Sequence, residues 1–160
     1  MGEAVYVLDT SALIGAWVRA YPPDVFPGLW EQMDALGRAR RLVVPEEVLD
    51  ELAERDDDLH VWVKTREGHL VEATSRAVML EARAVLADHP ELTKTGTGRG
   101  KADPFVIAAA RLRGGEVVTE EQGGSDSKPR IPYVCRQRGV IVRSVLEVIR
   151  NEGWTFSGSN

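Results

Sequence analysis

The chain reads as an α/β protein, a three-layer sandwich with helices on both faces of a central parallel sheet. Three observations predict this. Four short strand-forming runs, at 5–8, 41–44, 116–119 and 140–142, are separated by helical patterns instead of hairpin turns. The first run, Val5-Tyr6-Val7-Leu8, is apolar at every position, as a strand covered on both faces should be. The intervening segments are long enough for crossover helices, and the order βαα-βαα-α-αβ-αβα is that of parallel connections.

Each element has its own signals. The first strand ends at Asp9-Thr10-Ser11, and a helical pattern of Ala12, Leu13, Ile14, Ala16 and Trp17 begins at once. Pro22-Pro23-Asp24 breaks that pattern, and a second helix follows over 27–38, burying Leu29, Met33 and Leu36 with Trp30. After the 41–44 strand, Pro45 opens a helix at the N1 position it tolerates. An acidic stretch runs from Glu46 to Asp58, then Leu59 to Val63 turns helical, and Gly68 acts as a stop. A helix over 74–88 carries Val78, Ala82, Val85 and Leu86 on one side, with Thr74 or Ser75 as its N-cap and His89-Pro90 at its end. Thr93 to Lys101 is a polar loop. Asp103-Pro104 introduces the helix Phe105–Arg113, with Asp103 as its cap and Gly114-Gly115 as its terminator. A Gly/Ser/Pro loop from Glu120 to about Pro132 and a short helix over 133–137 precede the last strand. Ser144 caps a final helix over 145–151.

Composition narrows the function classes. With 160 residues, 43% hydrophobic and 28% charged, the chain is expected to form one domain over 1–160 with a sizeable core. Its apolar runs fall well short of the roughly 20 residues a membrane span needs. Met1-Gly2-Glu3 is not the basic start of a secretory signal, so a cytoplasmic location is expected. The lone Cys135 excludes an internal disulfide and a cysteine-built zinc site, and reads as a small core residue. A net charge of −5 argues against a strongly basic nucleic-acid binder, but not against a nuclease whose metal ions offset its own acids.

Four acidic positions sit at element ends on what should be one edge of the sheet. Asp9 follows the first strand, where it either N-caps the next helix or faces a ligand, because open α/β sheets bind ligands at that edge. In the acidic helix Val48, Leu49, Leu52 and Ala53 share a face, and Glu51 lies on its margin at about 60° from Val48. Glu46 and Glu47 are alternatives to it, while Glu47, Asp50 and Glu54 also fit a solvated face. Asp103 can cap with one oxygen and face a metal with the other. Thr119-Glu120-Glu121 closes a strand as Asp9-Thr10 does, with Asp126 as a spare acid in the loop beyond. Carboxylates gathered in one pocket repel each other unless a cation is present, and hard oxygen donors suit Mg²⁺ or Mn²⁺.

LDTS at the first strand, VPEEVLDEL, KADPFVIAAAR and VVTEE together resemble the PIN domain, the fold of VapC-type toxin ribonucleases, from Val5 to about Val142. On that resemblance the acidic residues fall on Asp9, Glu51, Asp103 and Glu121, the last two residues after a strand-end threonine. Ser11 and Thr119 match small polar residues that orient those carboxylates. The resemblance implies a Mg²⁺- or Mn²⁺-dependent endoribonuclease acting on RNA, a toxin neutralised by an antitoxin protein and often dimeric. It departs from the pattern in having glutamate at 121 where aspartate is common. The stretch from Asp57 to Trp62 and the segment IPYVC point to a less-studied branch.

Other chemistry has less support. TGTGRGK fails the phosphate-loop spacing and follows a helix, not a strand. Arg99 and Lys101 before Asp103, and Lys128 and Arg130 after Glu121, are placed either to hold substrate phosphates or to remain solvated. His60, His69 and His89 form no metal-spaced pair. The four tryptophans read as core or interface anchors, with base stacking by Trp30 or Trp62 as the alternative. Two rival functions remain: a catalytically inactive module that docks protein partners, and an aspartyl-phosphate-forming phosphohydrolase, whose second aspartate is replaced here by Ser11.

Overall fold

A computed structural model describes residues 3–94 and 100–157. Five strands, β1 (Tyr6–Leu8), β2 (Leu42–Pro45), β3 (Val71–Glu72), β4 (Glu116–Val118) and β5 (Ile141–Arg143), form one parallel sheet in the order β3-β2-β1-β4-β5. Central β1 pairs with β2 through Val7↔Val43 and with β4 through Val7↔Val117. Its three residues are fully buried, matching their uninterrupted apolar character. The chain builds outward from β1 through β2 to β3, then crosses back to place β4 on the other side. Between β1 and β4 the winding therefore reverses, and the crevice beyond their carboxyl ends is where such sheets bind ligands.

The helices are α1 (Thr10–Gly15), continued by a π-helical turn over Ala16–Ala20, then α2 (Pro27–Arg38), α3 (Glu46–Ala53), α4 (Asp58–Lys64) and α5 (Glu67–Leu70). They continue with α6 (Arg76–Asp88), a 3₁₀ turn over Pro90–Thr93, α7 (Asp103–Arg113), α8 (Ile131–Arg138) and α9 (Val145–Asn151). Ser75 caps α6, and Ser144 with Glu147 forms a reciprocal capping box on α9. Gly114, at φ +62°, ends α7 in the left-handed conformation that terminators favour. At the neighbouring Gly115 an added Cβ would lie 2.9 Å from the Val5 carbonyl oxygen, so the bare backbone lets β4 start against β1.

Several expectations are corrected. β3 was not foreseen: two half-buried residues carry too little periodicity to stand out. Gly68 does not stop a helix but lies within α5, a single turn. Pro45 belongs to β2 and is the residue before α3, not its first turn. α8 begins at Ile131, two residues early, because Pro132 is accommodated in a first helical turn. Trp30 is buried in the core, edge-on to Trp17 at 4.7 Å and to Trp62 at 5.1 Å, with its Nε1 donating to the Tyr21 carbonyl, which removes it from base stacking. Arg66 covers one face of Trp62 at 4.4 Å. Cys135 is fully buried, as expected of a core residue. Among the described residues no helix is long and apolar enough to cross a membrane.

Candidate functional site

Asp9 follows β1 directly, its N–H donating to the Val118 carbonyl across the sheet. One carboxylate oxygen accepts the Ala12 N–H at 2.7 Å, so Asp9 does N-cap α1. The Ser11 hydroxyl donates to both oxygens at 2.9 Å, and the Thr119 hydroxyl donates to Oδ2. The cap and site readings of Asp9 thus coexist in one side chain. Only 2% exposed, Asp9 has its carboxyl pushed up to about 7 by burial, against the pull of those three donors.

Asp103 departs from its expected role. It is the first residue of α7, preceded by Ala102 as the N-cap, and its side chain makes no capping hydrogen bond. Glu51 on α3 holds the N-cap residue instead, its Oε1 accepting the Ala102 N–H at 2.8 Å across 51 residues of sequence. The Asp103 carboxylate, 8% exposed, accepts no hydrogen bond from the described residues. Burial raises it well above the ordinary carboxylate range, and repulsion from Glu121, then Asp9, then Glu51 adds to the rise. Glu51 is raised as well, by burial first.

Glu121 follows β4 by three residues. Its N–H donates to the Thr119 hydroxyl at 3.0 Å, and its Oε2 accepts the Ile131 N–H of α8 at 3.1 Å. The alternatives lie elsewhere. Glu46 accepts the Thr74 N–H at 3.0 Å and Glu47 bonds the Thr74 hydroxyl, so both tie α3 to the chain entering α6. Glu47 is half-buried with its Oε2 unpartnered, which corrects the solvated-face reading for that residue. Asp126 is exposed in the β4–α8 loop, as are Lys128 and Arg130; Lys101 is exposed in the turn before α7, and Arg99 lies outside the described residues.

Four carboxylates from four segments therefore share one electrostatic neighbourhood at the sheet's winding reversal. They are not drawn together: among the described residues no three His, Cys, Asp or Glu side chains are arranged to hold a metal ion as they stand. Asp9, Glu51 and Glu121 each spend an oxygen on a backbone N–H. As a donor set the four fit a hard divalent cation, since all offer oxygen and Asp103 is buried with its charge uncompensated by any described donor. Cys135 lies below them with its thiol pushed up to about 12 by burial and by Asp9, Asp103 and Glu121, so it stays protonated.

Sequence reasoning passed over one pair at this edge. Arg19, on the π-helical turn, meets Glu120 with Nη2 to Oε2 at 2.5 Å. The available signal was Gly15, an isolated glycine inside an apolar helical pattern.

The fold is an α/β sandwich around a five-stranded parallel sheet, with four acidic residues near its winding reversal. The chain belongs to the family described as domain of unknown function DUF4411, whose model matches residues 6–156. No curated protein matches it. Among solved structures, the chain is similar to one in the crystal structure of VapBC2 from Rickettsia felis bound to a DNA fragment from their promoter. The TM-score is 0.52 at 14% identity, over 88% of this chain and 98% of that one. At that identity the likeness is one of fold.

Proposed function

We propose that this protein is a Mg²⁺- or Mn²⁺-dependent endoribonuclease, the toxin of a toxin–antitoxin pair, acting on RNA in the cytoplasm and kept silent by an antitoxin protein. The observation that carries the reading is Asp103: a buried carboxylate that accepts no hydrogen bond from the described residues and is repelled by three acids from three other segments. Such an arrangement destabilises the fold unless a cation occupies it, and buried carboxylates so perturbed cluster at functional sites.

In this reading Asp9, Glu51, Asp103 and Glu121 hold the metal. Bound divalent metal supplies an activated water and charge stabilisation for in-line attack on a phosphodiester. Ser11 and Thr119 keep Asp9 aimed by donating to its oxygens. Lys101, Lys128 and Arg130 offer exposed positive charge for flanking phosphates. The likeness of fold to the VapBC2 structure from Rickettsia felis supports the toxin assignment, and the reading includes a homodimer.

Asp9→Asn tests the reading. The variant keeps its fold by circular dichroism and loses Mn²⁺-dependent cleavage of single-stranded RNA by about a hundredfold or more. Cleavage at the wild-type rate would overturn the assignment. The separation of the carboxylates favours a second reading, an inactive PIN-like module that binds protein partners. Calorimetry separates the two: Mn²⁺ binding that is lost in Asp9→Asn supports the nuclease, and no Mn²⁺ binding supports the module.

A further inference from the structure

Gly15, the last residue of α1, is buried, and a Cβ built there would collide with the carboxyl group of Glu120. The Glu120 side chain lies across the bare backbone at that point and reaches the Arg19 guanidinium on the far side, Nη2 to Oε2 at 2.5 Å. The same residue is held at its backbone, where its N–H donates to the Ser11 hydroxyl at 3.2 Å. Ser11 in turn donates to Asp9. Arg19 is thereby keyed to the Asp9 carboxylate through two intermediaries. It projects from a π-helical turn, a local geometry often found at functional sites.

Arg19 itself is open, with its side chain 68% exposed, and the pairing occupies one terminal nitrogen. Its remaining N–H groups face solvent beside an edge carrying four carboxylates. An exposed ion pair contributes little to stability. Glycine inside a continuous helical stretch is, by contrast, worse than alanine. Stability alone therefore gives no reason to keep Gly15 for the sake of this pair. Lys101, Lys128 and Arg130, the exposed cations named above, make no side-chain hydrogen bond with the described residues and lie outside helices and strands. An arginine already oriented loses less freedom on gripping a phosphate.

We propose that Arg19, aimed by Glu120 across the gap left by Gly15, is a phosphate-binding residue that docks the substrate RNA backbone beside the carboxylate edge. The inference rests on the ribonuclease reading. Gly15 and Glu120 act through Arg19 as positioning residues.

Steady-state cleavage of single-stranded RNA in Mn²⁺ tests it. Arg19→Ala raises KM about five- to tenfold while kcat moves less than twofold, and the salt dependence of binding becomes shallower by about 0.7 in log–log slope. Arg19→Lys recovers part of the loss. Gly15→Ala, which retains Arg19 but forces the flexible end of Glu120 aside, raises KM in the same direction. A KM and salt slope unchanged in Arg19→Ala overturn the proposal, as does a loss confined to kcat, which would make Arg19 a support for Asp9 through Glu120 and Ser11. Fluorescence anisotropy of labelled RNA with Asp9→Asn, alone and combined with Arg19→Ala, reads the same contact without turnover. If wild-type protein cleaves no RNA, the nuclease reading falls. A drop in anisotropy affinity on removing Arg19 would still support the phosphate contact, and equal affinities would overturn it.

Discussion

At the residue scale the carboxylates differ in what they do when no cation is bound. Asp9 has three donors and a capping role, so its burial is partly compensated. Asp103 has neither among the described residues, and its ionised form works against the fold. Asp103→Asn should therefore stabilise the metal-free protein by about 1–2 kcal/mol at pH 8, seen as a higher urea midpoint. The same change should abolish the stabilisation that Mn²⁺ gives the wild type. A variant less stable than wild type without metal would show that Asp103 is a structural residue. The charge at 103 is visible in the sequence, but its freedom from capping is not. An Asp-Pro pair before an apolar helix signals a cap, and only the structure shows that α7 starts at Asp103 itself, with Ala102 as the N-cap.

At the element scale, helices with complete end signals were legible to the residue. The segment 27–38 carries an apolar stripe with proline at its start, and Ser144 with Glu147 announces α9. Elements without such signals were not. β3 has two residues and α5 one turn, and both exist because β2 offers a free edge and α2 a surface to pack on. The Trp17–Trp30–Trp62 cluster, edge-on about Trp30, likewise joins elements distant in sequence. Gly115 shows how close the elements come. Gly115→Ala places a methyl group against the Val5 carbonyl, and β1 cannot retreat because both its faces are covered. The substitution should destabilise the protein by about 1–3 kcal/mol in urea unfolding. A loss below about 0.5 kcal/mol would mean that the β1–β4 contact is looser than drawn.

At the scale of the whole molecule, the two ends of the sheet carry opposite electrostatics. Beyond the carboxyl end lie the unpaired acids. At the amino end Arg41 grips Glu152 with both terminal nitrogens, at 2.8 and 2.7 Å, and the Tyr6 hydroxyl donates to the same carboxylate at 2.7 Å. That contact holds the Glu152 carboxyl below its ordinary value, with the Arg41 hydrogen bonds as the main cause. Its contribution is present above the unfolded pKa and is lost as pH falls through the folded one. Asp9 behaves oppositely. Raised from 3.8 to about 7, it contributes fully below the unfolded value, and that contribution is lost as pH rises through about 7. The metal-free protein should thus be most stable near pH 5 and weaken toward pH 8, by at most about 3 kcal/mol from Asp9. Saturating Mn²⁺ should reverse the alkaline arm, because it favours the ionised carboxylates. Urea midpoints at pH 5 and pH 8, with and without Mn²⁺, check both statements; a metal-free midpoint that rises toward pH 8 would contradict the first.

The sequence by itself determined the class of fold, the parallel sense of the sheet and the residues of its central strand, because apolar runs and crossover lengths are local properties. It also marked which acids stand at element ends. Only the tertiary structure decided that Asp9, Glu51, Asp103 and Glu121 share one electrostatic neighbourhood, that Glu51 holds the Ala102 N–H at the start of α7, and that Arg19 reaches Glu120 over Gly15. Those relations join residues up to 112 positions apart, and no spacing rule along a chain encodes which crossovers bring such residues together.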